Sequence, residues 1–179
     1  MTPSLVGLAI IGKMLAPAEP FPVQFAQQGR GQIVAICLDG ITAKRSFAGK
    51  LVMRDRNSTW QSVCAGVRRP VAIGQTFPVR PWNTLLAGGN ARLAGNIVAA
   101  HFRQAQTAEE CAALQIAVWE AMEDGGKRPD FENGAFAARG GGNVVALATA
   151  YYQSVDKPGI AVFMQTGNAG QPQIGPAPV

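Results

Sequence analysis

The apolar residues of this chain follow two different patterns along its length. Between residues 32 and 79 they form short runs rich in Val, Ile, Phe and Thr, divided by turn signals such as Asp39-Gly40. Runs of this kind are typical of β-strands. From about residue 81 the apolar spacing becomes helical. The first region predicts strands at 32–38, 46–54, 59–67 and 70–79.

Two helices are predicted next, each with a marked start. Asn90 is the expected cap of a helix over about 91–104. Thr107-Ala-Glu-Glu110 has the sequence of a capping box, in which the threonine and the glutamate satisfy each other's backbone N–H groups. The second helix therefore begins after Thr107, and Gly125-Gly126 ends it.

A third helix is expected over 143–155, and a strand over 160–165 that returns to the first sheet. Because strands and helices are segregated along the chain, the order predicts an α+β fold. We expect a β-sandwich or barrel-like body with an inserted helical part of about three helices. The expected organisation is an extended N-terminal arm (1–30), this domain (31–167) and a Gly/Pro/Gln-rich tail (168–179).

Composition excludes some classes of function. The chain has 179 residues and a net charge of +5, and many basic residues lie between positions 44 and 80, but they form no dense patch with interleaved aromatics. That pattern favours a solvated surface over a nucleic-acid interface. The apolar N-terminal segment is a poor signal peptide and too short to span a bilayer. With one histidine, His101, and no Cys/His cluster, neither a metal nor another cofactor is expected.

The candidate chemistry is a cysteine facing a glutamine. Gln115 lies beside the apolar stripe of the second helix, and Cys37 lies between Ile36 and Leu38 on a strand. A thiol that attacks a primary amide forms a thioester and releases ammonia, provided that the two groups are held together and kept dry. Two alternatives stay open. Gln115 is a hydrogen-bonded core residue, or the cysteines, including Cys64 and Cys111, form a disulfide.

These two motifs resemble those of bacterial surface thioester domains. The similar residues are Ile36-Cys37-Leu38-Asp39 and Leu114-Gln115-Ile116-Ala117-Val118-Trp119-Glu120, and the likeness extends over about 32–165. The resemblance implies a thioester between Cys37 and Gln115, with Trp119, Ile36 and Leu38 as a supporting wall. It also implies a secreted, bacterial cell-surface adhesion protein that captures protein amine groups of a host or neighbouring surface.

A second function is compatible with the same scaffold. The Gly/Pro/Gln-rich ends and the low charge are also typical of a structural subunit of an extracellular or viral assembly, such as a virion or filament. Such a subunit forms homo-oligomers by adding its terminal arms to a neighbour's sheet edge. An enzyme is not expected, because no acid/base set converges and Arg68 near Asp39 or Asp55 predicts only an ion pair.

Overall fold

The computed structural model describes residues 19–84, 88–155, 158–166 and 171–176. These residues form seven antiparallel strands and three helices. In chain order they are β1 (Phe21–Leu38), β2 (Ile41–Arg54), β3 (Thr59–Cys64), β4 (Thr76–Asn83), α1 (Gly89–His101), α2 (Ala108–Glu123), β5 (Phe136–Arg139), α3 (Val144–Gln153), β6 (Ala161–Gln165) and β7 (Gln173–Pro176).

The strands form a nearly closed barrel in the order β2-β3-β7-β6-β4-β1-β5, with an additional pairing of β2 to β1 that brings the sheet back on itself. The long strand β1 makes this possible, because its first residues pair with β4 and its last residues pair with both β2 and β5. The predicted α+β fold with a barrel-like body and about three helices is confirmed. The predicted return of the late strand is confirmed as well, since β6 lies between β7 and β4.

Both ends of the sheet extend beyond the predicted domain boundaries. Residues 21–30 were expected in an arm, but they form the first half of β1, where Val23 is 0% and Phe25 is 3% exposed. At the other end β7 lies in the expected tail and pairs with β3 and β6, burying Ile174 completely. Proline-rich flanks suggested arms, yet the alternating apolar side chains Val23 and Phe25 supply a buried face. The remainder of the arm, residues 1–18, lies outside the described residues.

β4 and β5 also differ from the sequence-based expectation. The strand expected at 70–79 is β4, which starts at Thr76, because residues 72–75 form a turn closed by the Gln75 N–H group on the carbonyl of Ala72. β5 lies between α2 and α3, where no strand was predicted. Phe131 and Phe136 are buried between α2 and α3.

The helix α2 is the centre of the molecule. Its capping box is present as predicted, with the Thr107 hydroxyl accepting from the Glu110 N–H group and the Glu110 carboxylate accepting from the Thr107 N–H group. Every residue from Cys111 to Ala121 is buried. The sequence predicted one apolar stripe, but the sheet and both other helices pack around α2, so polar residues on its other faces are buried too.

The first helix, α1, starts earlier than expected. Gly88 is its N-cap, and Asn90 lies inside the first turn. The Asn90 amide instead donates to the carbonyl of Met122 near the end of α2 and so ties the two helices together. In the part of the chain that the structure describes, no helix has both the length and the apolar character needed to cross a bilayer.

Candidate functional site

Gln115 is held against the backbone of Cys64. The side chain of Gln115 is 1% exposed. Its Oε1 accepts a hydrogen bond from the Cys64 N–H group at 2.8 Å, and its Nε2 donates to the Cys64 carbonyl at 2.7 Å. Cys64 is the last residue of β3, and the pairing of β3 with β2 ends at Ser62. The N–H and carbonyl groups of Cys64 therefore lie beyond the part of β3 that pairs with β2. The glutamine thus pairs with the strand end as a neighbouring strand would.

Trp119 contacts the sulfur of the same cysteine. Its indole Nε1 lies 3.3 Å from Cys64 Sγ and donates to it, one helical turn beyond Gln115. The far side of the indole meets the Phe136 ring edge-on, with ring centroids 6.0 Å apart. Trp119 was expected to be a packing wall only. It is buried as expected, but it also orients the thiol through its one polar atom.

The three side chains are buried and line one cavity. Cys64, Gln115 and Trp119 share a space of about 220 Å³ whose other walls include Phe25 and Leu51. Burial raises the pKa of the Cys64 thiol to about 12, outweighing the hydrogen bond from Trp119, which acts in the opposite direction. The thiol is therefore protonated at neutral pH, which lowers its reactivity because the thiolate is the nucleophilic form.

Cys37 lies elsewhere. It pairs with Ala137 on β5, while the next pair along the strands is Leu38 with Phe136. Directly opposed residues share a face and successive residues alternate, so the Phe136 contact to Trp119 assigns Leu38 to the helix-facing side and Cys37 to the other side.

The hydrogen bonds of the Gln115 carboxamide go to Cys64 and not to Cys37, so the thioester between Cys37 and Gln115 stays a prediction that these contacts do not support. Ile36 is buried at 4% exposure on the helix-facing side, and Leu38 packs partly buried against the same core. The two predicted wall residues thus lie on the side of Trp119, whereas Cys37 lines a separate cavity of about 580 Å³.

The third cysteine, Cys111, contacts a buried lysine. Its thiol points at the carbonyl of Ala105 at 3.5 Å, and Lys50 Nζ donates to the same carbonyl at 2.6 Å while lying over the Phe102 ring. Burial lowers the pKa of Lys50 and raises that of Cys111. All three cysteines are free, so none of the disulfides considered from the sequence is present.

Glu120 is a site residue that the sequence did not indicate. Its side chain is 1% exposed, and Oε1 accepts from the Asp130 N–H group at 2.8 Å. Its Oε2 has no hydrogen-bond partner among the described residues. Burial, together with the neighbouring carboxylates of Asp124 and Asp130, raises the pKa of Glu120 to about 7. A glutamate inside an apolar helical run was the available signal in the sequence.

Arg68 forms an ion-pair network with Asp39 and with Glu123 at the C-terminal end of α2. Arg68 binds both carboxylate oxygens of Asp39 and also binds Glu123 at 2.7 Å. The predicted pairing of Arg68 with Asp39 is present. Asp39 sits at φ 51° in the turn between β1 and β2, so this network fixes the turn against the helix.

Comparison with known proteins adds no relative: no family model matches the chain, and neither the curated proteins nor the solved structures include a significant match. Within the described ranges, no group of three or more His, Cys, Asp or Glu side chains is arranged to hold a metal ion. The geometry around Gln115 is therefore the basis for a functional interpretation.

Proposed function

We propose that this protein is a surface-exposed binding domain that captures amine nucleophiles through an internal thioester between Cys64 and Gln115. One observation carries the proposal: the Gln115 carboxamide is fixed by two hydrogen bonds to the residue whose sulfur is itself oriented by Trp119. The resemblance of the Leu114–Glu120 segment to surface thioester domains supports the same chemistry.

The step uses two residues whose contact is a pair of hydrogen bonds between the Gln115 carboxamide and the Cys64 backbone. The Sγ–Cδ bond forms as the Cδ–Nε2 bond of Gln115 breaks, and the thiol proton leaves with Nε2 as ammonia. The N–H group of Cys64 donates to Oε1 at 2.8 Å, where negative charge develops as sulfur adds to the carbonyl. An amine that enters the cavity then attacks the thioester carbonyl, forms a stable amide on the Gln115 side chain and regenerates the Cys64 thiol.

Burial protects the thioester from hydrolysis and also favours its formation. Cys64 is 2% and Gln115 1% exposed, so bulk water has little access to a thioester between them. Positioning in a dry site can replace a large part of the activation barrier. The cavity of about 220 Å³ beside the pair provides space for a small amine or for the end of a lysine side chain.

Intact-mass spectrometry of the unreduced protein tests this chemistry. We expect a mass lower than that of the sequence by one ammonia, and the addition of methylamine should abolish the deficit by forming N-methylglutamine. Cys64→Ala and Gln115→Glu should each remove the deficit. Cys37→Ala and Cys111→Ala are the matched controls, because each deletes a cysteine that does not contact Gln115, and both should keep it.

These variants test separately whether a thioester forms and which cysteine forms it. A native mass equal to the sequence mass would overturn the thioester and leave Gln115 as a structural hydrogen-bonding residue. A deficit that persists in Cys64→Ala and disappears in Cys37→Ala would return the acyl carrier to the cysteine that the sequence motif indicated.

A second candidate function is a structural subunit of an extracellular or viral assembly, and the open edge of β5 favours it. β5 ends the strand order and pairs only with β1 among the described strands. An unpaired edge accepts a strand from a neighbouring chain. Assembly through the N-terminal arm predicts that the full chain forms oligomers in size-exclusion chromatography and that removal of residues 1–18 abolishes them. A monomeric full chain would contradict this candidate.

A further inference from the structure

A buried lysine and a buried cysteine meet at one carbonyl oxygen. Lys50 is 5% and Cys111 0% exposed. Lys50 Nζ donates to the Ala105 carbonyl at 2.6 Å, and the Cys111 thiol donates to the same oxygen at 3.5 Å. The amine nitrogen and the sulfur are therefore near neighbours, and neither belongs to the Cys64–Gln115 pair.

Lys50 lies at an irregularity in the pairing of β1 with β2. On one side of it Gly49 pairs with Gly31, and on the other side Leu51 pairs with Gln28. Two residues of β1 therefore lie opposite Lys50 alone, which is the arrangement of a β-bulge. Bulges redirect side chains, and here the redirected side chain reaches the segment between α1 and α2.

Lys50 has no carboxylate partner among the described residues. Its Nζ binds the Ala105 carbonyl and lies 4.5 Å from the centroid of the Phe102 ring. A lysine is rarely buried without an opposite charge. Burial lowers the pKa of Lys50, while the charges of Arg30 and Glu110 act on it in opposite directions. The environment therefore favours the neutral amine, which is the nucleophilic form.

The thiol of Cys111 is influenced by the same lysine. Burial raises the pKa of Cys111, whereas a positive charge on Lys50 acts in the opposite direction. The thiolate is the form that reacts with oxidants, so we expect a slow reaction that the lysine assists. The pair lies close to the surface, since Gln104 and Gln106, on either side of Ala105, are exposed.

We propose that hydrogen peroxide converts Lys50 and Cys111 into a covalent cross-link, a sulfenamide. Peroxide oxidises the thiol by two electrons to a sulfenic acid and is itself reduced to water. The neutral amine then attacks the sulfur, the S–N bond forms, and the sulfur-bound hydroxyl leaves with an amine proton as a second water. The protein loses two hydrogen atoms in total, and the bond joins β2 to the N-terminal part of α2.

Mass spectrometry of the full chain before and after peroxide treatment tests the cross-link. We expect a species lighter than the untreated chain by two hydrogen atoms, which dithiothreitol returns to the starting mass. Tryptic digestion without reductant should give the peptide 46–54, uncleaved after Lys50, joined to the peptide 104–127. Because the reference is the untreated chain, the result does not depend on a thioester between Cys64 and Gln115.

Variants identify the nitrogen and the sulfur. Lys50→Arg should abolish the cross-link, because a guanidinium keeps its proton and is not a nucleophile, and Cys111→Ser should abolish it as well. Lys44→Arg is the matched control, since Lys44 is an exposed lysine on the same strand, and it should keep the cross-link. A Cys37→Ala/Cys64→Ala chain should also keep it, because its single cysteine cannot form an internal disulfide.

The peptide map of the wild-type chain decides the proposal without relying on any variant. Normal tryptic cleavage after Lys50 in the peroxide-treated chain would overturn it, as would a two-hydrogen loss that maps to two joined cysteine peptides. Persistence of the cross-link in Lys50→Arg would assign the nitrogen to another residue and overturn it too.

Discussion

Replacing Gln115 by alanine will lower the free energy of unfolding by about 3–5 kcal/mol, since two separate penalties combine. The first is the cavity left by a side chain that is 1% exposed in the centre of the molecule. The second is the loss of both hydrogen bonds to Cys64, which leaves a backbone N–H group and a carbonyl in the core with no partner. Urea denaturation followed by far-ultraviolet circular dichroism measures the change.

Two further variants separate these penalties. Gln115→Leu restores most of the volume but makes neither hydrogen bond, and it should remain destabilised by about 2–3 kcal/mol because buried unpaired backbone groups are costly. Gln153→Ala is the control for a glutamine in a helix, since Gln153 is exposed at the end of α3. It should change stability by less than about 0.5 kcal/mol. A Gln115→Leu protein as stable as the wild type would show that the pairing with Cys64 contributes nothing.

Glu120 will make the protein less stable as the pH rises from about 4.5 to about 7. Burial next to Asp124 and Asp130 raises its pKa from the model-compound value of 4.5 to about 7, so the folded state binds this proton more tightly than the unfolded state does. Stability therefore falls as the pH rises through the unfolded pKa, and the loss is complete above the folded pKa. The expected loss is about 3 kcal/mol from this group alone.

Glu120→Gln should remove that slope and make the protein more stable than the wild type at pH 7.5. A glutamine keeps an oxygen for the Asp130 N–H group and places an amide beside the two carboxylates instead of a third negative charge. Glu132→Gln is the control, because Glu132 is exposed in the neighbouring loop. Urea titrations between pH 4.5 and 8 compare the three proteins. An unchanged slope in Glu120→Gln would assign the pH dependence to other groups.

The same residue connects the helix to the loop that lines the cavity at Cys37. Its hydrogen bond to the Asp130 backbone anchors the loop of residues 131–135, and the Asp124 carboxylate holds the end of that loop through the N–H groups of Ala135 and Phe136. On the other helix, Tyr152 donates to the carbonyl of Gly126, and burial raises the pKa of Tyr152 to about 12. The loop is thus fixed by polar contacts to α2 and α3 rather than by a strand ladder alone.

The fold class and the helix α2 could be predicted from local information. Thr107 and Glu110 satisfy each other's backbone groups across four residues, so the start of α2 is visible in the sequence. The strands at 32–38, 46–54 and 59–64 likewise follow from β-branched runs bounded by turns. β5 could not be recognised in this way, because four residues within a glycine-containing segment become a strand only where the end of β1 offers an unpaired edge.

Which cysteine contacts Gln115 could not be predicted from local sequence. Cys37 and Cys64 both lie on strands between apolar neighbours, and nothing in the residues around them says which one meets Gln115. The outcome depends on strand register, since a shift of one residue moves a side chain to the opposite face. It also depends on where β3 ends, because the free backbone groups of Cys64 are available to the glutamine only there.

By itself, the sequence determined that the chain forms strands followed by helices, that α2 starts at a capped threonine, and that Gln115 and Trp119 share one side of that helix. These features depend on residues within a few turns of each other, where backbone hydrogen bonding and apolar periodicity act directly. Only the tertiary structure decided that α2 is buried on every side, that Gln115 meets Cys64, and that Cys37 faces a separate cavity. Those results depend on packing between segments more than 50 positions apart, which no local pattern encodes.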